Sequence, residues 1–201
     1  MDRWTAVSGI AELEALYGAA NPLSLAKVAD RITPLYRAWI GASRFVVLST
    51  VGPEGTDASP RGDDGPVVRV ADAETLLLPD WRGNDRIDSL RNIVRDGRVS
   101  LMFLVPGSAN VVRVNGQGVV TADAGVLASF EKDGKRPRTV IAVTVGEVYF
   151  QCAKAILRSG LWEGSRADVP TAGDFLREAR DGFDGAGYDA DYAERATARM
   201  W

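Results

Sequence analysis

A mainly β domain with flanking helices is the fold class that this sequence predicts, and three observations carry it. Short β-branched and aromatic runs recur from Phe45 onward. Gly, Pro, Asn and Asp punctuate them at turn spacing, and helical periodicity is confined to the two ends and one internal segment.

The elements follow in order. Residues Ile10 to Tyr17 and Leu23 to Ile40 place apolar groups at helical spacing, with Pro22 and Pro34 as helix starts or kinks, so two or three helices open the chain. Phe45 to Thr50 is a strand pattern. The turn residues Val51-Gly52-Pro53-Glu54-Gly55-Thr56 lead from it into Asp57-Ala58-Ser59-Pro60, which reads as a hairpin. Further strands are expected at Val67 to Val70, Thr75 to Leu78, Arg98 to Val105, Val111 to Thr121 and Thr139 to Phe150. About six or seven short strands at this spacing predict a barrel or sandwich.

One internal helix carries Ile87, Leu90, Ile93 and Val94 on a single face, with Asn84 or Asp85 as its cap and Asp96-Gly97 as its end. Ala153 to Leu161 fits another helix, and Ala172 to Arg180 and Tyr188 to Met200 form an amphipathic tail. Gly182, Gly185 and Gly187 make Asp181 to Gly187 the best linker candidate. A single domain is the simplest reading of residues 1–201, with a helical segment 1–43, a β core 44–162 and a helical extension 163–201.

Composition narrows the function. The chain has no histidine and one cysteine, which excludes histidine-based catalysis, histidine metal sites and a disulfide framework. With 46% apolar and 25% charged residues it reads as a globular protein with no membrane span. Met1-Asp2-Arg3-Trp4 lacks the basic and apolar regions of a leader, so a cytoplasmic protein is expected. Its 24 basic and 27 acidic side chains, a formal charge of −3, argue against a dedicated nucleic-acid binder. Any positive charge that matters is local.

Such a local site is visible. Arg61 sits in the strand-end run Ser59-Pro60-Arg61-Gly62-Asp63, and Leu78-Pro79-Asp80-Trp81-Arg82-Gly83-Asn84-Asp85-Arg86 leads into the internal helix. A phosphate at a helix start gains backbone N–H donors and the positive end of the dipole, and guanidinium groups add charge-assisted hydrogen bonds. Arg82, Asn84, Arg86 and Ser89 supply these groups, with Gly83 allowing close approach. Spacing alone also fits solvated arginines on a surface helix.

These residues carry a resemblance. Phe45 to Thr50, Ser59 to Asp63, Leu77 to Asp80, Gly83-Asn84, Asp88 to Ile93, Phe103 to Gly107 and Arg113 to Gly116 are collinear with one family, as are Cys152 to Ile156 and Arg158 to Trp162. Over about Tyr36 to Trp162 the chain resembles the FMN-binding split-barrel proteins related to pyridoxamine 5'-phosphate oxidase. The resemblance implies a six-stranded split β-barrel and a homodimer with FMN at the subunit interface. It assigns Arg61 and Arg86 to the FMN phosphate, with Gly62, Asp63, Asn84 and Ser89 beside them. Leu78, Pro79, Asp80 and Trp81 are placed alongside the flavin ring, Arg82 is a third cation available to the phosphate, and Lys154, Arg158 and Trp162 are candidates to reach the ring from the other subunit. The chain departs from the vitamin B6 oxidase itself in having no histidine and an unlike C-terminal segment, Ala190 to Trp201, so a distinct subfamily is implied.

Other residues receive plainer readings. Cys152 reads as a small core residue, and Asp63-Asp64 and Asp80 as turn acids, so no metal is expected. Trp4, Trp39, Trp81, Trp162 and Trp201 read as packing anchors, only Trp81 and Trp162 lying in matched motifs. Lys132 to Arg138 reads as a solvated basic loop, its alternative use being to dock an anionic substrate or dinucleotide. The expected function is an FMN-dependent oxidoreductase acting on a small molecule, with no catalytic side chain assigned. The alternatives are a deazaflavin-dependent reductase, a non-catalytic flavin carrier or sensor, and a structural dimer with an empty pocket.

Overall fold

The computed structural model describes residues 4–164, 168–197 and 200. The readings placed on Met1 to Arg3, on Trp201 and on residues 198–199 of the tail helix lie outside the described residues. Three helices open the chain: α1 (Ile10–Tyr17), α2 (Pro22–Ala26) and α3 (Pro34–Ala42). Proline occupies the first turn of α2 and α3, where its missing N–H costs nothing. The caps are the preceding residues: Asn21 accepts from Leu23 N, and Thr33 from Tyr36 N.

Seven strands follow, in one antiparallel sheet. They are β1 (Phe45–Gly52), β2 (Gly55–Gly62), β3 (Arg69–Val70), β4 (Thr75–Asp80), β5 (Arg98–Leu104), β6 (Val111–Thr121) and β7 (Thr139–Gln151), in the order β2-β1-β5-β6-β7-β4-β3. Helix α4 (Asp88–Arg95) lies between β4 and β5, α5 (Ala124–Ala128) between β6 and β7, and α6 (Lys154–Ser159), α7 (Ala172–Ala179) and α8 (Gly185–Thr197) follow the sheet. The sheet thus has one strand more than the expected six, counting the two-residue β3.

Period-two alternation sets the core. Val46 and Leu48 of β1, Leu101 and Phe103 of β5, and Val112 and Val114 of β6 are buried on one face, while the intervening residues are half-buried or exposed. Leu76 and Leu78 of β4 and Ile141 and Val143 of β7 join the same cluster, as do Ile40 of α3 and Ile93 of α4. Backbone pairing leaves β2 and β3 as the sheet edges. Side chains bring its distant parts together: Arg61 of β2 pairs with Asp80 of β4, although these strands stand first and sixth in the order. The sheet therefore curls around its core.

Four local expectations need correction. The cap of α4 is Ile87, in the left-handed region at φ 54° and without a side-chain cap bond, because Asn84 Oδ1 instead accepts from Arg86 N at 3.1 Å. Val94 is 74% exposed and leaves the apolar face of α4 to Leu90 and Ile93. Cys152 is exposed rather than a core residue, since β7 has ended and α6 has not begun. Asp181 to Gly187 is no free linker: Gly185 starts α8 and is buried against Gly173 of α7, where a Cβ would meet the Gly173 carbonyl oxygen at 2.4 Å.

Candidate functional site

The curl of the sheet brings the end of β2 beside the end of β4, and the candidate residues gather at that junction. Arg61 follows Pro60 on β2 and is paired in register with Val46, a core residue, so its side chain starts on the inner face. Its Nη1 donates to Asp80 Oδ1, and the two side chains are 20% and 17% exposed. Arg61 Nε is buried and has no hydrogen-bond partner among the described residues. Beyond Asp80 the chain leaves the sheet through Trp81, Arg82, Gly83 and Asn84.

Two cavities adjoin this junction. One, of about 280 Å³, is lined by Arg61, Asp80, Trp81 and Arg82, by Gly83, Asn84, Asp85 and Ile87, by Leu90 of α4, and by Arg138 and Thr139. A smaller one, about 180 Å³, lies against Pro60, Arg61, Gly62, Leu78, Pro79, Trp81 and Arg82, with Met200 at its edge. Leu78 and Pro79 are buried and supply its apolar wall, while Gly62, Arg82 and Asn84 are exposed. The loop between the cavities and α4 is strained: Asp85 and Ile87, on either side of Arg86, both have φ near +55° (58° and 54°).

The remaining candidates stand apart from these two cavities. Arg86 is 75% exposed, pairs with Asp88 at 2.9 Å, and lines a separate cleft of about 430 Å³ with Asp57, Arg91 and Arg95. Ser89 is 3% exposed and donates its hydroxyl to Asp57 of β2, which ties the first turn of α4 to the sheet. Asp63 is half-buried. Its Oδ2 accepts from Trp81 Nε1 at 3.0 Å, and its Oδ1 accepts from Lys132 and from Gly65 N. With Trp81 and Lys132 it borders a larger cleft of about 560 Å³ beneath α3. Lys154, Arg158 and Trp162 belong to α6 and the turn after it and line neither junction cavity within one chain. Trp162 Nε1 donates to the Ser108 carbonyl at 2.7 Å.

Within the basic loop Lys132 is half-buried, while Lys135, Arg136 and Arg138 are exposed, as a solvated loop predicts. Lys132 bridges Asp63 and Asp64, Arg136 pairs with Glu131, and Arg138 pairs with Asp85 at 3.1 Å. Burial works against the charge on Lys132, but hydrogen bonds and charge from Asp63 and Asp64 outweigh it and hold its pKa above the ordinary value. The Asp64 carboxyl is held below its usual range, chiefly by the Lys132 hydrogen bond. Asp80, Arg138 and Thr139 also line the larger junction cavity, Arg138 from the basic loop whose alternative use was to dock an anion, and Thr139 with no signal of its own in the sequence. Thr139 stands opposite Asp80 in the β4–β7 ladder, a register that no local sequence signal encodes.

The chain is thus an antiparallel β domain whose sheet curls around one core, with Arg61 at the junction between its distant strands. The family described as pyridoxamine 5'-phosphate oxidase matches residues 32–152, and the chain belongs to it. Among solved structures, a variant of HupZ from Group A Streptococcus shares 15% identity, with a TM-score of 0.50 over 60% of this chain and 99% of that one, which shows a shared fold. A candidate pyridoxamine 5'-phosphate oxidase from Lactobacillus delbrueckii aligns at 21% identity and TM-score 0.47, covering 60% of this chain and 95% of that one. An FMN-binding protein from Syntrophomonas wolfei aligns at 13% identity and TM-score 0.44, covering 57% and 82%. No curated protein matches the chain.

Proposed function

We propose that this protein is an FMN-binding oxidoreductase of the pyridoxamine 5'-phosphate oxidase class, a split-barrel homodimer acting on a small molecule. The observation that carries the reading is the buried, unpartnered Nε of Arg61 beside the junction cavity. A buried guanidinium N–H left without an acceptor costs about 1–3 kcal/mol, and an incoming anion removes that cost. Arg82 and Asn84 line the same cavity, so charge-assisted and neutral donors face one ligand group. Residues and ligand therefore fit.

Arg61, Arg82 and Asn84 would hold the phosphate tail, and Leu78, Pro79 and Trp81 would wall the apolar ring. Asp80 fixes Arg61 in place by accepting its Nη1, which pre-orients the guanidinium before any ligand arrives. The bound flavin supplies hydride transfer at its N5. The protein contributes binding, orientation and exclusion of water, which suits a chain with no histidine. Both cavities fall below the roughly 300–1,000 Å³ typical of small-molecule sites, as expected where a second copy closes the site. Lys154, Arg158 and Trp162, absent from these cavities, are then available to reach the partner's flavin.

Titration of the purified protein with FMN and with riboflavin, followed by flavin fluorescence, tests the reading. FMN should bind and be quenched. Arg61→Ala should weaken FMN by about tenfold or more while leaving riboflavin, which lacks the phosphate, unaffected. Equal FMN affinity in wild type and Arg61→Ala contradicts the assignment.

A further inference from the structure

Thr139 opens β7 and stands directly opposite Asp80 in the β4–β7 ladder. Residues directly opposite in an antiparallel pair project to the same face, so the Thr139 hydroxyl shares a face with the carboxylate that holds Arg61. Thr139 Oγ1 is buried and, like Arg61 Nε, has no hydrogen-bond partner among the described residues, and both residues line the 280 Å³ cavity. Two orphaned polar atoms on one small cavity, contributed by strands β2 and β7, ask for one acceptor between them. Arg138, the residue before Thr139, lines the cavity too and adds a third guanidinium to those of Arg61 and Arg82.

We infer that Arg138 and Thr139 are ligand-binding residues of this cavity, and that with Arg61 they select a phosphate monoester. Only the identity of the ester, FMN, rests on the function proposed above. The chemistry argues for a tetrahedral dianion. A planar carboxylate is satisfied by one bidentate arginine, whereas phosphate oxygens accept donors from several directions. Here the donors come from the β2 strand, the loop after β4 and the head of β7. Two carboxylates also line the cavity. Asp80 is engaged by Arg61, and Asp85 holds Arg138 at 3.1 Å in a pair whose side chains are 62% and 72% exposed. An ion pair that exposed contributes little, so Arg138 exchanges Asp85 for the phosphate at small cost.

The test compares wild type with Thr139→Val, Thr139→Ser and Arg138→Gln, using FMN and riboflavin by fluorescence and inorganic phosphate by calorimetry. Thr139→Val keeps the β-branched shape that a strand favours and removes only the hydroxyl. It should weaken FMN and phosphate by about five- to tenfold with riboflavin unchanged, Thr139→Ser should restore wild-type affinity, and Arg138→Gln should weaken FMN and phosphate similarly. Wild-type affinity in Thr139→Val and Arg138→Gln overturns the inference. So does an equal loss of FMN and riboflavin, or a Thr139→Ser variant that behaves like Thr139→Val. If wild type binds phosphate but no flavin, and Thr139→Val and Arg138→Gln lose that phosphate, the flavin reading falls and the phosphate site stands. If wild type binds neither FMN nor phosphate, both fall.

Discussion

Asp63 ties the segment after β4 to the loop before β7. Its carboxylate is 5% exposed and ties Trp81, which borders both junction cavities, to Lys132 on the loop before β7. Asp63→Asn keeps an acceptor of similar shape but removes the charge that Lys132 needs. The expected outcome is a loss of about 1–3 kcal/mol in urea unfolding, together with a shift in tryptophan emission as the acceptor of the Trp81 indole changes from a charged to a neutral group. The pH dependence of the tether follows from its two shifted groups. Lys132 has a raised folded pKa, so its contribution is complete below the ordinary lysine value of about 10.4 and is lost as pH rises through the higher folded value. Asp64 has a lowered one, so its contribution is complete above about 3.9 and is lost as pH falls through the folded value. The tether should therefore be constant through neutrality. Unfolding midpoints that change between pH 6 and 8 in wild type but not in Lys132→Met would contradict that assignment.

At the scale of elements, legibility in the sequence tracks how local the cause is. The β1 strand and the starts of α2 and α3 could be read because alternation and a proline in the first turn act within a few residues. The start of α4 could not, since tertiary contact places Asp85 and Ile87 in left-handed conformations that propensity disfavours. Arg61, Trp81, Arg82 and Asn84 were legible as site candidates through collinear motifs, and the structure gathers them at one cavity. Thr139 and Asp80 depend on a strand register, and Ser89 turned out to anchor α4 to Asp57, a pairing across 32 positions in sequence. The β6–β7 ribbon shows the same rule. Its register shifts between Asn115 and Gly116, and a Cβ on Gly116 would lie 2.0 Å from the Thr144 carbonyl oxygen. Gly116→Ala must move backbone, not a flexible side chain, and should cost about 1–3 kcal/mol by denaturant unfolding. An unchanged midpoint would show that the irregularity can relax freely.

For the whole molecule, the face of the sheet turned away from the core is the surface on which the proposed homodimer can be tested. Phe45 and Val47 of β1 lie opposite Leu104 and Met102 of β5 on that face, Phe45 being 39% exposed and the others half-buried. Val47 also pairs with Pro60 of β2, which lines the smaller junction cavity, so the apolar face runs to the edge of the site. On the far side it ends in polar pairs, Arg113 over the Tyr149 ring at 5.4 Å and Asn115 donating to Glu147 at 2.7 Å. An apolar centre with a polar rim is the anatomy of a self-association surface, and a second copy seated there would close the cavities that one chain leaves small. Met102→Glu places a charge on that face between Val47 and Arg113 while leaving the core face of β5, Leu101 and Phe103, untouched. Light scattering after size exclusion should give twice the chain mass for wild type and the single-chain mass for Met102→Glu. FMN affinity should fall in parallel, because the variant loses the walls that the partner supplies. A Met102→Glu protein that is monomeric yet binds FMN as wild type does would mean that the junction of β2, β4 and β7 holds the cofactor alone.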